Sequence, residues 1–238
     1  MELTVLGLNG PFPAPNGATS GYYLCAGDTQ FQLDLGSATL SALTALTAPE
    51  SLDALFLTHW HYDHACDLLP LTYRLEALGK KLCVYAPVDE SSLIRQAALR
   101  CPMIELHDVT AGDTITVGDV QVQFFAARHP VPAVMLRLSQ GGKHLCYTGD
   151  TNTVEGLEAF ADRADLLLAD GLFTDALWAE GKPHLSASLA AHLARKTQAR
   201  QLVITHLNPT IDPATLLAQA RAVRTDALLA APGARYTL

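Results

Sequence analysis

The chain has 238 residues, 49% of them hydrophobic, and a formal net charge of −8. A chain of this length buries roughly 70–75% of its unfolded surface, so it needs no disulfide or structural metal to fold. No basic run exceeds Lys80-Lys81, which argues against a large nucleic-acid footprint, because phosphate backbones are held by clustered Lys and Arg.

Leu3–Leu6 is a short β run, and residues 9–19, with Gly10, Pro11, Pro13, Pro15 and Gly17, form a surface loop. Tyr22–Cys25 and Phe31–Leu35 flank Gly27-Asp28, a hairpin signal. Ser37 is placed to cap a helix ending near Leu46, and Ala54–Leu57 is an apolar strand. Residues 66–78 have helical spacing and stop at Gly79, before a strand over 81–85 and a helix over 90–99. Strands follow at 120–125 and 133–138, then at 143–147 after the turn Gly141-Gly142. Residues 154–160 are helix-like and lead to the strand 165–169, whose apolar run suits a buried position. Ser186 can cap a helix to Lys196, residues 202–205 are a strand, and Pro213 opens a helix to Val223.

No repeat or linker-like composition divides the chain, so residues 1–238 are read as one domain. Two β-rich blocks, each followed by helices, predict two packed sheets with helices outside. The five cysteines, Cys25, Cys66, Cys83, Cys101 and Cys146, show no CxxC pair. That pattern fits reduced thiols in the cytoplasm. Neither a signal peptide nor a membrane span is expected, since the first residues lack a basic segment and 7–21 are rich in Gly and Pro.

The chemistry concentrates in Thr58-His59-Trp60-His61-Tyr62-Asp63-His64, directly after an apolar strand. His59, His61, Asp63 and His64 are nitrogen and oxygen donors of the kind zinc and its neighbours accept. They exceed the needs of one tetrahedral ion that keeps a position for water, which points to two ions. A strand ending here puts all four on one loop at a sheet edge. His129, Asp150 and His206 also follow predicted strands, where a rigid scaffold holds ligands and loops shape the pocket.

The succession Thr-His-x-His-x-Asp-His, a later His, Tyr-Thr-Gly-Asp-Thr and Ile-Thr-His resembles the metallo-β-lactamase superfamily along essentially the whole chain. The resemblance implies an α/β fold, a four-layer αββα sandwich with a metal pair at one edge. It implies that His59, His61 and His129 hold one ion, that Asp63, His64 and His206 hold the other, and that Asp150 bridges both. The implied ions are zinc, with manganese or iron also accepted by mixed His and Asp ligands.

A finer similarity is to the ribonuclease Z and cyclic-phosphodiesterase branch. Lys182-Pro183-His184-Leu185-Ser186 is similar to that branch's His-x-Ser/Thr motif, whose histidine contacts phosphate and acts as general acid. Leu168-Ala169-Asp170-Gly171 aligns with the acidic partner of that histidine, which implies that Asp170 orients and charges His184. Ser20 and Asn152, on loops beside the ligands, are expected to touch substrate. Two departures narrow the reading. Ribonuclease Z carries a tRNA-gripping arm between the positions of His129 and Asp150, where this chain has only twenty residues. Phosphodiesterases of the phosphonate-degradation pathway carry a Cys-rich structural metal site that Cys25 alone cannot form.

The sequence therefore predicts a compact cytoplasmic, binuclear metal-dependent hydrolase. The expected activity is a phosphodiesterase on small or cyclic nucleotides and related phosphodiesters. A metal-bound hydroxide attacks, Asp63 helps to orient it, and His184 protonates the departing oxygen. The alternative is a lactone or thioester hydrolase on the same metal centre, which does not need His184. A non-catalytic binding protein is a third reading, opposed by the intact ligand set. The expected partner is a small phosphodiester, with no large nucleic acid and no membrane, and the related branch implies a homodimer.

Overall fold

In the computed structural model, which describes residues 1–238, the chain opens with β1 (Glu2–Gly7), β2 (Gly21–Ala26), β3 (Thr29–Leu35), α1 (Thr39–Thr44) and β4 (Ala54–Phe56). It continues with α2 (Tyr62–Ala65), α3 (Leu68–Leu78), β5 (Leu82–Pro87), α4 (Leu93–Arg100), β6 (Ile104–Val109), β7 (Thr114–Val117), β8 (Val120–Ala126) and β9 (Val134–Gln140). The last third holds β10 (Lys143–Tyr147), α5 (Leu157–Ala161), β11 (Leu166–Asp170), α6 (Ala187–Lys196), β12 (Gln201–Thr205), α7 (Pro213–Val223), β13 (Leu228–Leu229) and β14 (Arg235–Thr237). Two seven-stranded sheets result, ordered β14-β1-β2-β3-β4-β5-β6 and β13-β12-β11-β10-β9-β8-β7.

The layering follows from the two-residue alternation of strand side chains. In β4, Ala54 and Phe56 join the core between the sheets, while Leu55 and the next residue Leu57 join a second core on the opposite face. That second core takes Leu43 of α1, Leu71 of α3 and Ile94 of α4, so these helices cover the first sheet. Across the middle, Phe56 meets Phe124 of β8 at a centroid distance of 6.2 Å, and Tyr22 meets Tyr147 edge-on at 5.0 Å. Phe56 is fully buried, and cutting it to Ala would cost about 3–5 kcal/mol. Phe160 of α5, Ala190 of α6 and Leu216 of α7 belong to the main core and cover the second sheet. The architecture is the expected αββα sandwich.

β11 is buried along its whole length and runs parallel to both β10 and β12. A strand covered on both faces reads as a continuous apolar run, as Leu166–Ala169 does. β8 pairs antiparallel with β9, and β9 antiparallel with β10, so β8, β10, β11 and β12 all end on the same edge.

Several local expectations change. Ser37 does not cap α1. The cap position is Ala38, in the left-handed region at φ 68° and without a side-chain bond, whereas a side-chain N-cap needs extended backbone. The His59–His64 stretch is not all loop, because Tyr62–Ala65 closes a helical turn. The following helix begins at Leu68 and ends at Gly79, whose φ of 59° suits glycine. β6, β7, β13 and β14 escaped the sequence reading, being half-exposed edges or only two or three residues long. Ser186 caps α6 by accepting from Leu189 N–H, and Asp212 caps α7 ahead of Pro213. No helix is long and apolar enough to cross a membrane.

Candidate metal centre

The C-terminal ends of five strands deliver the donors to one edge. His59 and His61 follow β4, and Asp63 and His64 ride on α2. His129 lies just beyond β8, Asp150 beyond β10 and His206 beyond β12, while Asp170 ends β11. His206 is held at φ 56°, a left-handed conformation for a non-glycine residue. Such strain costs on the order of 1–3 kcal/mol and persists only where the surroundings fix it.

The donors fall into two sets that share one carboxylate. In the first, His59 Nε2 and His129 Nε2 each lie 3.0 Å from His61 Nδ1. Asp150 Oδ2 is 3.7 Å from His59 Nε2 and 3.9 Å from His129 Nε2. In the second, Asp63 Oδ2 is 3.2 Å from His206 Nε2 and 3.6 Å from His64 Nε2. The other oxygen of Asp150, Oδ1, is 3.2 Å from His64 Nε2 and 3.3 Å from His206 Nε2. Tetrahedral donors about 2.0–2.1 Å from zinc stand about 3.4 Å apart. Both sets have that spacing, and in each the donor atoms lie within 4.8 Å of one another. Asp150 Oδ1 is also buried with no hydrogen bond. An unsatisfied buried carboxylate oxygen is costly and calls for a cation.

The protonation states agree with a ligand role. Burial, reinforced by the neighbouring His64, holds His59 well below the ordinary imidazole range. Burial likewise lowers His61 and pushes His129 down to about 4. These rings are neutral near pH 7 and keep lone pairs for a metal. Burial opposes the charge of Asp150, but His206 and His64 outweigh it and hold the carboxyl well below its usual value. His64 behaves oppositely. Burial disfavours its charge, yet Asp150, Asp63 and Asp34 hold its pKa well above normal. A cation among the same carboxylates would displace that proton.

The support beneath His64 is Asp34, whose sequence context marks it only as part of a strand. Asp34 Oδ2 accepts from His64 Nδ1 at 2.7 Å, Tyr147 Oη at 2.6 Å and Thr58 Oγ1 at 2.9 Å. Asp34 Oδ1 accepts from Thr58 N–H at 2.7 Å. This fixes the His64 tautomer so that Nε2 faces the donors. Thr58 Oγ1 also meets His59 Nδ1 at 3.1 Å. The available signal was a carboxylate inside the run Phe31–Leu35, where Asp is depleted.

His184 Nδ1 lies 2.8 Å from Asp170 Oδ2 and 3.8 Å from Asp150 Oδ2. Its ring stacks on His206 at 4.9 Å between centroids. Burial lowers the imidazole pKa, but Asp170 and then Asp150 reverse the effect and raise it to about 9. The two predicted substrate contacts are corrected. Ser20 is fully buried, with Oγ 3.4 Å from His64 Nε2, so its hydroxyl is turned to the donors rather than to solvent. Asn152 is fully buried too, and its amide is consumed by protein. Its Nδ2 donates to the carbonyls of Ala179, Glu180 and Lys182, and its Oδ1 accepts from Trp178 Nε1. Between His129 and Asp150 the chain makes only the β9–β10 hairpin.

Imidazole and carboxylate donors of this kind, at the edge of an αββα sandwich, mark a metallo-hydrolase. Residues 32–207 match the family model described as the Beta-lactamase superfamily domain, and the chain belongs to that family. It is similar to the probable metallo-hydrolase YhfI of Bacillus subtilis (strain 168), with 30% identity over 213 residues, 87% of each chain. The crystal structure of YhfI superposes with a TM-score of 0.92 at 28% identity, covering 99% of this chain and 98% of that one. Ribonuclease Z of Methanopyrus kandleri is 26% identical over 266 residues, 94% of this chain and 92% of its own. Human tRNase Z, short form, shares the fold with a TM-score of 0.81 at 21% identity, covering 100% and 99% of the two chains. These neighbours agree with the ribonuclease Z and phosphodiesterase-like branch.

Proposed function

We propose that this metallo-hydrolase is a phosphodiesterase acting on small or cyclic nucleotides, with two divalent ions, zinc first among them, on the donor sets that share Asp150. When bound, such ions polarise a phosphoryl oxygen and activate water. The observation that carries the reading is the His184–Asp170 pair beside Asp150. With Nδ1 donating to Asp170, His184 keeps its other nitrogen for the departing oxygen. Against burial, Asp170 and then Asp150 raise the His184 pKa to about 9, which favours the protonated form that a general acid requires. Attack on a lactone or thioester has no need of a charged donor held in this way. Asp63, whose Oδ2 lies near His206 and His64, would hold an ion and orient a water.

The short β9–β10 hairpin and the net charge of −8 support a small phosphodiester as partner rather than tRNA or a membrane surface. A cytoplasmic location and a homodimeric state belong to the same proposal. The test is hydrolysis of bis(p-nitrophenyl) phosphate by metal-loaded protein. His184→Ala should lower kcat by about 10²–10⁴-fold with metal content retained. Turnover of lactones or thioesters without turnover of the diester would overturn the reading.

A further inference from the structure

Beside the donors lies a cleft of about 220 Å³, lined by Arg128, His129, Pro130, Gly181, Lys182 and Pro183. One end is thus a metal ligand, and the walls come from two segments that each bring a cation. Neither cation has a carboxylate partner. The Arg128 guanidinium reaches only the Thr153 carbonyl, at 3.5 Å. Lys182 Nζ donates to the Leu177 carbonyl and lies 4.7 Å from the Phe173 ring centroid. Of the 16 Lys and Arg of the chain, eight are bound to carboxylates, Arg74, Lys81, Arg95, Lys143, Lys196, Arg200, Arg224 and Arg235, and Arg128 and Lys182 belong to the other half. In a chain of net charge −8, two unmatched cations lining one small cleft create a local field that favours an anion.

The two walls are tied together by Asn152. Its N–H donates to the Arg128 carbonyl at 3.1 Å, and its Nδ2 donates to the Lys182 carbonyl at 2.6 Å. Arg128 N–H is further held by Thr151 Oγ1 at 2.9 Å, and His129 Nδ1 approaches the Pro183 carbonyl at 3.4 Å. A buried amide that fixes both cation-bearing segments gives the cleft a set width, which a chance meeting of surface charges lacks.

We propose that Arg128 and Lys182 form an anion subsite for a second phosphate of the substrate, next to the scissile diester, with Asn152 as the positioning residue. The substrate class is then a nucleotide diester that also carries a terminal phosphate. This deepens the phosphodiesterase reading and rests on it.

The test compares a 5′-phosphorylated diadenylate, pApA, with ApA on the metal-loaded enzyme. A charged contact is worth about 1.5–3 kcal/mol, so KM for pApA should lie about tenfold or more below that for ApA at similar kcat. In the double variant Arg128→Gln, Lys182→Gln the KM ratio should fall to about one. Asn152→Ala should raise KM for pApA more than for ApA, a split that general unfolding would not produce. Equal KM values in the unaltered enzyme, or a ratio that survives in the double variant, would overturn the subsite. Bis(p-nitrophenyl) phosphate carries no second phosphate, so its turnover reports separately on the phosphodiesterase reading. If that substrate fails, inorganic pyrophosphate titrated calorimetrically into the loaded protein still reads the subsite. Binding about tenfold weaker in the double variant supports it, and equal binding overturns it.

Discussion

Asp170 faces two histidines: its Oδ2 is hydrogen-bonded to His184 Nδ1 at 2.8 Å, and its Oδ1 lies 3.8 Å from His206 Nδ1, too far for a hydrogen bond. Oδ2 also accepts from Thr151 N–H at 3.2 Å and Oδ1 from Leu172 N–H at 3.0 Å, so the carboxylate is held in place. One buried group thereby lies against both the proposed proton donor and a histidine of the donor sets.

Replacing Asp170 by Asn should shift the pH profile. A general acid works only while protonated, so activity is lost as pH rises through its pKa. Burial alone lowers the His184 pKa, and Asp170 is the largest opposing influence that raises it to about 9. Without that carboxylate the alkaline limb of kcat moves to lower pH. Bound cations lower the limb in both enzymes and leave the sign of the difference intact. A kcat loss of about 10–100-fold at pH 8 is expected, as for other groups that orient a site. An unchanged alkaline limb would remove Asp170 from this role.

Asp34→Asn should weaken metal binding although Asp34 touches no metal-facing atom. Its carboxylate gathers His64, Tyr147 and Thr58, and an amide cannot accept from all of them equally. Loss of such a partner costs about 10–100-fold in metal affinity, measurable by competition with a chromophoric chelator.

Asp150 and His61 should differ in metal stoichiometry. Asp150 offers one oxygen to each donor set, whereas His61 belongs to one. Asp150→Ala is expected to lose both ions and His61→Ala to keep one, as read by elemental analysis after gel filtration. Equal losses would contradict a shared carboxylate.

Gly10→Ala should disturb the metal site more than the fold. A Cβ at Gly10 would overlap the His206 ring, and His206 is already fixed at a positive φ. A displaced ring would lose its present distances to Asp63 and Asp150, so metal affinity should fall by about tenfold or more. Near-unchanged far-UV circular dichroism would separate this effect from unfolding.

The legible part of the site was local. His59, His61, Asp63 and His64 stand close enough along the chain to be read together, and His129, Asp150 and His206 each follow an apolar run that announces a strand. Alternation along Ala54–Leu57 and the full apolar run at Leu166–Ala169 carried the layered fold, because period and burial are written in consecutive residues. Edge strands such as Thr114–Val117, with little burial, left no such trace.

By itself, then, the sequence determined the donors, their order and the sandwich that presents them. Residue spacing did not divide the donors into two sets; the family resemblance implied that division, and in the tertiary structure the two oxygens of Asp150 face different histidines, far apart in the chain. Only the tertiary structure turned Asn152 from a substrate contact into the tie between Arg128 and Lys182, and made Asp34 the support of His64. Side-chain direction depends on which distant groups satisfy each polar atom, and that is settled only when the strands come together.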